Sequence, residues 1–438
     1  MVHNPQTNQT ILFNALYGGL TVWEVAEVEA VQYFLTHPTL ENWDNAAIHQ
    51  VLIDQKNLID DNVDEIAIIK NRKRCGIEDK NRLDLIIMPT LDCNFDCVYC
   101  YETHHPGKMN AQTEIAIKKW LSEQIPHFKF VMLHWFGGEP LLGVDRVVSI
   151  TRHVLDVASR TGVAYTTHMT TNGYLLNQKR IQTLIDCGIL DFQITMDGAP
   201  ETHDAFRVLK NGQGTFHRLH HNIIMAARAH ERMKITLRVN FNHLNLHTIP
   251  QLLELFPPDV RPHLRIIFEP IFGQCDISAT DNIAAEEISQ STAAYYAMAK
   301  NLGYDVVLVG SGLNPGKLVY CYAERANQYI INYNGDVYKC SVGKFMPKER
   351  LGYLNQDGQL VRNEQIWSQW LDMDLFESQC LDCVYLPLCM GGCRRMRVEQ
   401  RGTGSFCSLI PTNTSYLLKQ VAFGDLDRLI LAQSEIGS

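Results

Sequence analysis

The chain has 438 residues, enough for two to four domains with ample core, and 46% of them are hydrophobic, 20% charged and 9% aromatic, which excludes a mainly disordered chain or a collagen-like fibre. Thirty-nine basic residues against 48 acidic ones leave a net charge of −9, which disfavours phosphate-backbone binding, so no nucleic-acid partner is expected. No apolar run reaches the ~18–20 residues that span a bilayer, and the N-terminus lacks the charged start and apolar stretch of a secretory signal. A cytoplasmic protein without membrane contact is the expectation.

Residues 1–80 read as a small α+β region. A β-like pair (Thr10–Phe13, Leu20–Trp23) precedes helical patterns near Val25–Leu35 and Asn45–Gln55, and Asp60, Asp61, Asp64 and Glu65 form an acidic surface stretch. From residue 83 a new rhythm begins. Strands are expected at Leu83–Met88, Phe130–Trp135, Tyr165–Thr170, Asp191–Met196, Ile235–Phe241 and Arg265–Phe268. Helical patterns lie between them near Thr113–Gln124, Arg146–Ser159, Gln178–Asp186, Phe216–His230 and Ile249–Leu255. Strands alternating with helices predict an α/β fold, a parallel sheet with crossover helices closed or partly closed as a barrel. In such barrels chemistry gathers at the C-terminal ends of the strands. A cysteine loop follows the first strand, Gly137-Gly138-Glu139-Pro140 the second and Thr171-Asn172-Gly173 the third; Met196-Asp197-Gly198 ends the fourth, and Arg238 and Asn240 lie on the fifth. Beyond about residue 318 the chain turns loop-rich and cysteine-rich, a composition that needs staples in place of a large core, and Pro411–Leu431 reads as a closing helix.

In a reducing compartment, 13 cysteines in clusters point to metal sooner than to disulfides. Cys75, Cys187 and Cys275 stand alone, and the first two read as buried, inert thiols. Cys93, Cys97 and Cys100 are spaced C-x3-C-x2-C in a polar loop, where a core has no need of thiols. Three such thiolates can hold three irons of a 4Fe–4S cluster, whose full ligation takes four, so one iron stays free for an outside ligand. Zinc is the rival reading, with His104 or His105 as fourth ligand.

The segment Cys93-Asn-Phe-Asp-Cys97-Val-Tyr-Cys100 resembles the signature of radical S-adenosylmethionine (SAM) enzymes, including the aromatic Tyr99 before the last cysteine. Gly137-Gly138-Glu139-Pro140 is similar to that family's methionine-amino-group motif, and Thr170 to Gly173, Thr195 to Gly198, His203-Asp204 and Arg207 are similar to its later landmarks. The resemblance implies a partial (β/α)6 barrel over 81–305, with the free iron chelating the amino and carboxylate groups of SAM. One electron from the cluster would then break a C–S bond of SAM and give a 5′-deoxyadenosyl radical that abstracts hydrogen from unactivated carbon. By the same resemblance Tyr99, Gly137, Gly138, Glu139, Asn172, Thr195, Arg207 and Arg238 are candidate SAM contacts: Gly138 and Glu139 for the methionine part, Asn172 and Thr195 near sugar and carboxylate, Arg207 or Arg238 as charge partner.

Cys321, Cys340, Cys380, Cys383, Cys389, Cys393 and Cys407 resemble the SPASM extension of peptide- and protein-modifying radical SAM enzymes, assigned to 306–410, with 411–438 as the C-terminal helix. Two auxiliary 4Fe–4S clusters are implied, one on Cys380, Cys383, Cys389 and Cys407, the other on Cys321, Cys340 and Cys393, its fourth position open or completed by Cys275. A zinc ribbon is the alternative for the C-x2-C pair. The resulting expectation is a maturase that installs a thioether, a carbon–carbon cross-link or a related change in a ribosomally made precursor peptide. Residues 1–80 weakly resemble a winged-helix leader-peptide recognition element, against the plainer reading of a packing extension. Flavodoxin or ferredoxin is the expected reductant, and a separate peptide-recognition protein is a further candidate partner. An anaerobic sulfatase maturase, making formylglycine, is the alternative, weakened because Ser341 stands after Cys340 where that group has an acidic base. A non-catalytic iron–sulfur electron carrier is the reading of another class. No residue is assigned a catalytic role from the sequence.

Overall fold

The computed structural model describes residues 1–4, 8–37, 46–271, 285–306, 316–371 and 375–399. Strands β1 (Val2–Asn4), β2 (Gln9–Phe13) and β3 (Leu20–Glu24) form an antiparallel sheet in that order, followed by α1 (Val25–Thr36), α2 (Ala46–Asp54) and α3 (Glu65–Ile77). The acidic stretch is exposed as expected, and its end opens α3: Asp64 caps the helix by accepting the Ala67 N–H at 2.8 Å, and Glu65 is its first residue. Its charged sequence hid the helix, because only one narrow stripe of it is buried. Cys75, expected to be buried, lies exposed on the outer side of α3, whereas Cys187 is buried as expected.

The chain then runs β4 (Arg82–Ile87), β5 (Phe95–Cys97), α4 (Ala111–Gln124), β6 (Phe130–Trp135), α5 (Val144–Thr161), β7 (Ala164–Thr171), α6 (Gln178–Ile185), β8 (Asp191–Thr195), α7 (Pro200–Phe206), β9 (Arg207–Leu209), α8 (Phe216–Ala229), β10 (Lys234–Phe241), α9 (Ile249–Leu255), β11 (Leu264–Pro270), α10 (Ala285–Asn301) and β12 (Asp305–Val306). All six expected strands are present, and β4, β6, β7, β8, β10 and β11 pair in parallel in chain order. Alternation sets their faces: on β6, Val131, Leu133 and Trp135 are buried while the intervening residues are less so. The buried set meets the helices; Trp135 Nε1 donates to Thr151 of α5 at 3.0 Å. Helix α5 supplies the matching stripe at 3–4-residue spacing, Val147, Ile150, Val154, Val157 and Ala158.

Beyond residue 318 the structure is more regular than the sequence suggested. Strands β13 (Gln328–Ile331), β14 (Asp336–Tyr338), β15 (Gly352–Leu354) and β16 (Leu360–Arg362) extend the central sheet, because β13 pairs in parallel with β4. Strands of three or four residues give too few alternations to register as periodicity. Helices α11 (Glu364–Leu371), α12 (Leu386–Cys389) and α13 (Arg394–Glu399) follow. The closing helix expected at Pro411–Leu431 lies outside the described residues. No helix among the described residues is long and apolar enough to cross a membrane.

Candidate functional site

The first cysteine loop leaves the C-terminal end of β4 and is pinned on both sides. Thr90 forms a bridge with Lys108 and donates its hydroxyl to the Gly107 carbonyl at 2.5 Å, closing the base of the loop. Within it, β5 pairs antiparallel with β9, setting Cys97 opposite Arg207. Neither strand was visible in the sequence, since each has three residues. Cys93 is buried, Cys97 is half-buried and Cys100 is exposed, so the thiols run from core to opening. Burial, then Glu139, pushes the Cys93 thiol up to about 12. The Phe95 N–H donates to Cys93 Sγ at 3.4 Å.

The glycine motif after β6 lies directly against this loop. Gly138 N–H donates to the Thr90 carbonyl at 3.3 Å and Glu139 N–H to the Asp92 carbonyl at 2.9 Å. A Cβ on Gly138 would stand 2.4 Å from Asp92 O and 2.5 Å from Leu91 O, and Gly137 has φ +121° with Thr90 O 2.3 Å from its Cβ position. Glu139 is fully buried, and its carboxylate is taken up by the protein: Oε1 accepts from Leu141 N–H at 2.9 Å and Thr171 Oγ1 at 2.7 Å, Oε2 from Asn172 N–H at 2.7 Å. It ties the ends of β6 and β7 together. The Asn172 amide donates to Asn94 Oδ1 at 2.9 Å and lies 3.7 Å from Cys93 Sγ. Thr195, at the end of β8, is buried.

A second set of residues lies behind Cys97. Tyr99 donates its hydroxyl to Asp197 Oδ2, and that hydroxyl accepts from Arg207 Nη1 at 2.8 Å and Asn240 Nδ2 at 3.1 Å. Asp197 Oδ1 accepts from Asn240 N–H at 2.8 Å. Arg238, also on β10, donates from Nε to Asn240 Oδ1 at 2.8 Å. His203 Nδ1 accepts from Asp197 N–H at 3.1 Å, so its proton sits on Nε2 and points to Thr215 Oγ1 at 3.0 Å; Thr215 in turn donates to the Arg207 carbonyl at 2.6 Å. Burial opposes the charge of Arg207, but Cys97, Tyr99 and Asp197 outweigh it and raise the guanidinium pKa well above its ordinary value. Among the described residues, the buried Arg207 Nε finds no hydrogen-bond partner. The structure therefore gathers Tyr99, Arg207 and Arg238 with Asp197, Asn240 and His203, to which the sequence had given no role. Their motif positions were the available signal; the network between them arises only when β5, β8, β9 and β10 meet.

The C-terminal thiols fall into two groups. Burial, then Glu324, Cys393 and Cys340, pushes the Cys321 thiol up to about 12, and burial with Cys393 raises Cys340, so these three lie within electrostatic reach of one another. Burial, with Cys389 and Cys383, raises Cys380. Cys275 and Cys407 lie outside the described residues. Cations face both groups: Lys317 senses Cys389 and Cys321, Lys339 senses Cys321, Arg395 senses Cys340, and Arg397 lowers Cys380. Tyr322 senses Cys340 and Cys321 and is sensed by Tyr101, the residue after Cys100, so it lies within electrostatic reach of both cysteine regions; its hydroxyl is 2.5 Å from Ser341 Oγ.

The donor sets fit iron–sulfur clusters. Soft thiols are grouped in threes, none in a disulfide among the described residues, and each group has a cationic side chain nearby, such as Arg207, Arg395 or Arg397, that would offset an anionic cluster. Among the described residues no three His, Cys, Asp or Glu side chains converge on one ion; a four-iron cube takes each cysteine on a separate iron, so its ligands stand apart.

Residues 87–256 match the model of the radical SAM superfamily. Fe-coproporphyrin III synthase of Methanosarcina barkeri is 23% identical over 202 residues, 46% of this chain, and the chain spans about half of that relative, 48%. The cysteine-type anaerobic sulfatase-maturating enzyme of Clostridium novyi is 24% identical over 396 residues, covering 78% of this chain and 98% of the relative. Among solved structures, native anSMEcpe with bound AdoMet superposes with a TM-score of 0.59 at 20% identity, over 81% of this chain and all (100%) of that one. Streptococcus suis SuiB bound to precursor peptide SuiA superposes with a TM-score of 0.55 at 13% identity, over 93% of this chain and 100% of that one. The central parallel sheet is thus that of the partial barrels in these structures.

Proposed function

We propose that this chain, a radical SAM enzyme whose cofactors are a 4Fe–4S cluster and S-adenosylmethionine, modifies a ribosomally made precursor peptide. Cys93, Cys97 and Cys100 would hold the SAM-binding cluster, whose bound SAM supplies, on one-electron reduction, a radical able to abstract hydrogen from unactivated carbon. The protein's part is placement. The Gly137–Gly138 turn presents backbone at close range, Glu139 fixes the ends of β6 and β7, and Tyr99 is set by Asp197 and Arg207. Arg207, with its free buried Nε, is the best-placed charge partner for the carboxylate of SAM. Asn172 and Thr195 close the wall beside Cys93. Cys321, Cys340 and Cys393 would hold one auxiliary cluster, and Cys380, Cys383 and Cys389 with Cys407 the other.

The observation that carries the peptide reading is the hydroxyl pair Tyr322–Ser341 within reach of both cysteine regions. Ser341 directly follows Cys340, at the position where the sulfatase-maturing alternative needs an acidic base, and it is bonded to Tyr322, which favours modification of a peptide over oxidation of a sulfatase side chain. The 93% coverage by SuiB against 81% by anSMEcpe points the same way, because it must take in part of the N-terminal region. In this reading that region binds a leader, and a flavodoxin or ferredoxin supplies electrons. The test is incubation of reduced enzyme and SAM with a synthetic precursor encoded beside the gene. A mass loss of two hydrogens per cross-link, located by fragmentation, is expected; formylglycine formed on a sulfatase peptide instead would reject it.

A further inference from the structure

Helix α3 belongs physically to the cysteine-rich region. Its Ile69, with Leu16, shares one buried cluster with Phe376, Leu386 and Met390, against which Cys380 also packs. At the end of α3, the Ala326 N–H donates to the Ile77 carbonyl at 2.8 Å. At its centre Lys73 is fully buried. Lys73 Nζ donates to Glu324 Oε1 at 2.6 Å and to the Met390 carbonyl. Glu324 Oε2 accepts the Tyr320 N–H at 2.6 Å. Glu324 is three residues past Cys321, and Met390 directly follows Cys389. One ammonium therefore joins the turn that carries Cys321 to the turn that carries Cys389. An ion pair without access to water keeps this geometry, because breaking it strands two charges in the interior.

We infer that Lys73 is a positioning residue for the auxiliary cysteine sites: by bridging Glu324 and the Met390 carbonyl it sets the separation of the Cys321 and Cys389 turns. The N-terminal region then builds the C-terminal cluster region as well as serving any peptide. The inference rests on the proposed ligation of iron by those cysteines. It also means that a deletion of residues 1–80 removes a support of the clusters and cannot report on peptide binding alone.

The test compares the full-length chain with Lys73→Met, Glu324→Gln, Ile69→Ala and Cys321→Ala variants, all reconstituted without air. Iron per chain and the EPR spectra of the reduced clusters are read beside 5′-deoxyadenosine formation from SAM. Lys73→Met is expected to lose about four irons, one cluster, as Cys321→Ala does, while SAM cleavage at the first loop persists. Ile69→Ala loosens the same packing without touching the ammonium and is expected to keep its iron. Glu324→Gln retains an acceptor for Lys73 and is expected to lose less; it carries the test if Lys73→Met does not fold. Full iron in folded Lys73→Met or Glu324→Gln, or equal loss in Ile69→Ala, overturns the inference. Full iron in Cys321→Ala would show that the ligand assignment itself had failed.

Discussion

At the scale of single residues, the site divides into the thiols proposed to hold metal and the polar groups around them. Asp197 links Tyr99 to Asn240 beneath Cys97 and faces Arg207. Replacing it with Asn keeps the shape and removes the charge. Asp197→Asn is expected to lower SAM cleavage by about 10–100-fold, the usual cost of losing an outer partner of a metal site, with iron content unchanged. His203 is buried and His134 half-buried, and desolvation holds both far below the ordinary histidine pKa. Their folded pKa values are depressed, so the unfolded chain binds more protons below about pH 6.5, and stability falls as the pH drops through that point. Each neutral histidine contributes a slope of up to about 1.4 kcal/mol per pH unit. Denaturant unfolding at pH 7 and pH 5.5 checks this, and a His203→Gln variant is expected to show a shallower loss. The grouping of the cysteines was legible in the sequence, because residue type and spacing can be read without the fold. Asp197, His203 and Asn240 had no assigned role, since the network that joins them includes partners far apart in the chain, such as Asp197 with Asn240 and with Tyr99.

At the scale of elements, the parallel strands β4, β6, β7, β8, β10 and β11 were readable because each spans five to eight residues, long enough for an apolar run, as in β4, or for alternation, as in β6, to show between helices. Strands β5, β9 and β13 to β16 were not, although β5 and β9 clamp the cysteine loop and β13 joins the C-terminal region to the barrel. Their positions depend on tertiary contacts. The contact between the glycine turn and the loop gives a test. In Gly138→Ala the new Cβ would meet backbone oxygens of Leu91 and Asp92, which cannot swing away as a side chain could. The loop must shift, and SAM affinity is expected to fall at least about tenfold, near 1.4 kcal/mol, while Gly162→Ala, where nothing lies within 4 Å, leaves it unchanged. Equilibrium dialysis of SAM with the reconstituted variants measures this. Unaltered affinity in Gly138→Ala would show that the turn does not define the cofactor site.

At the scale of the whole molecule, the sequence suggested four consecutive units, whereas the described residues interlock. The segment from β13 onward continues the sheet begun by β4, and α3 packs with Phe376, Leu386 and Met390. A cut after Leu58 keeps α3, and a cut after Lys80 removes it. The shorter truncation is expected to lose affinity for a precursor peptide yet keep its iron, and the longer one to lose both. Peptide titration and iron analysis on the two proteins separate a leader-binding role from a structural one. The account as a whole stands on the loop at Cys93, Cys97 and Cys100, and on one iron being left for the sulfonium cofactor. The most direct measurement is 5′-deoxyadenosine formed from SAM by the dithionite-reduced, air-free protein and its Cys97→Ala variant. The wild-type chain is predicted to cleave SAM, and Cys97→Ala to lose that activity while retaining the iron of its C-terminal cysteines. Equal cleavage by the variant, or zinc in place of iron on this loop, would contradict the assignment.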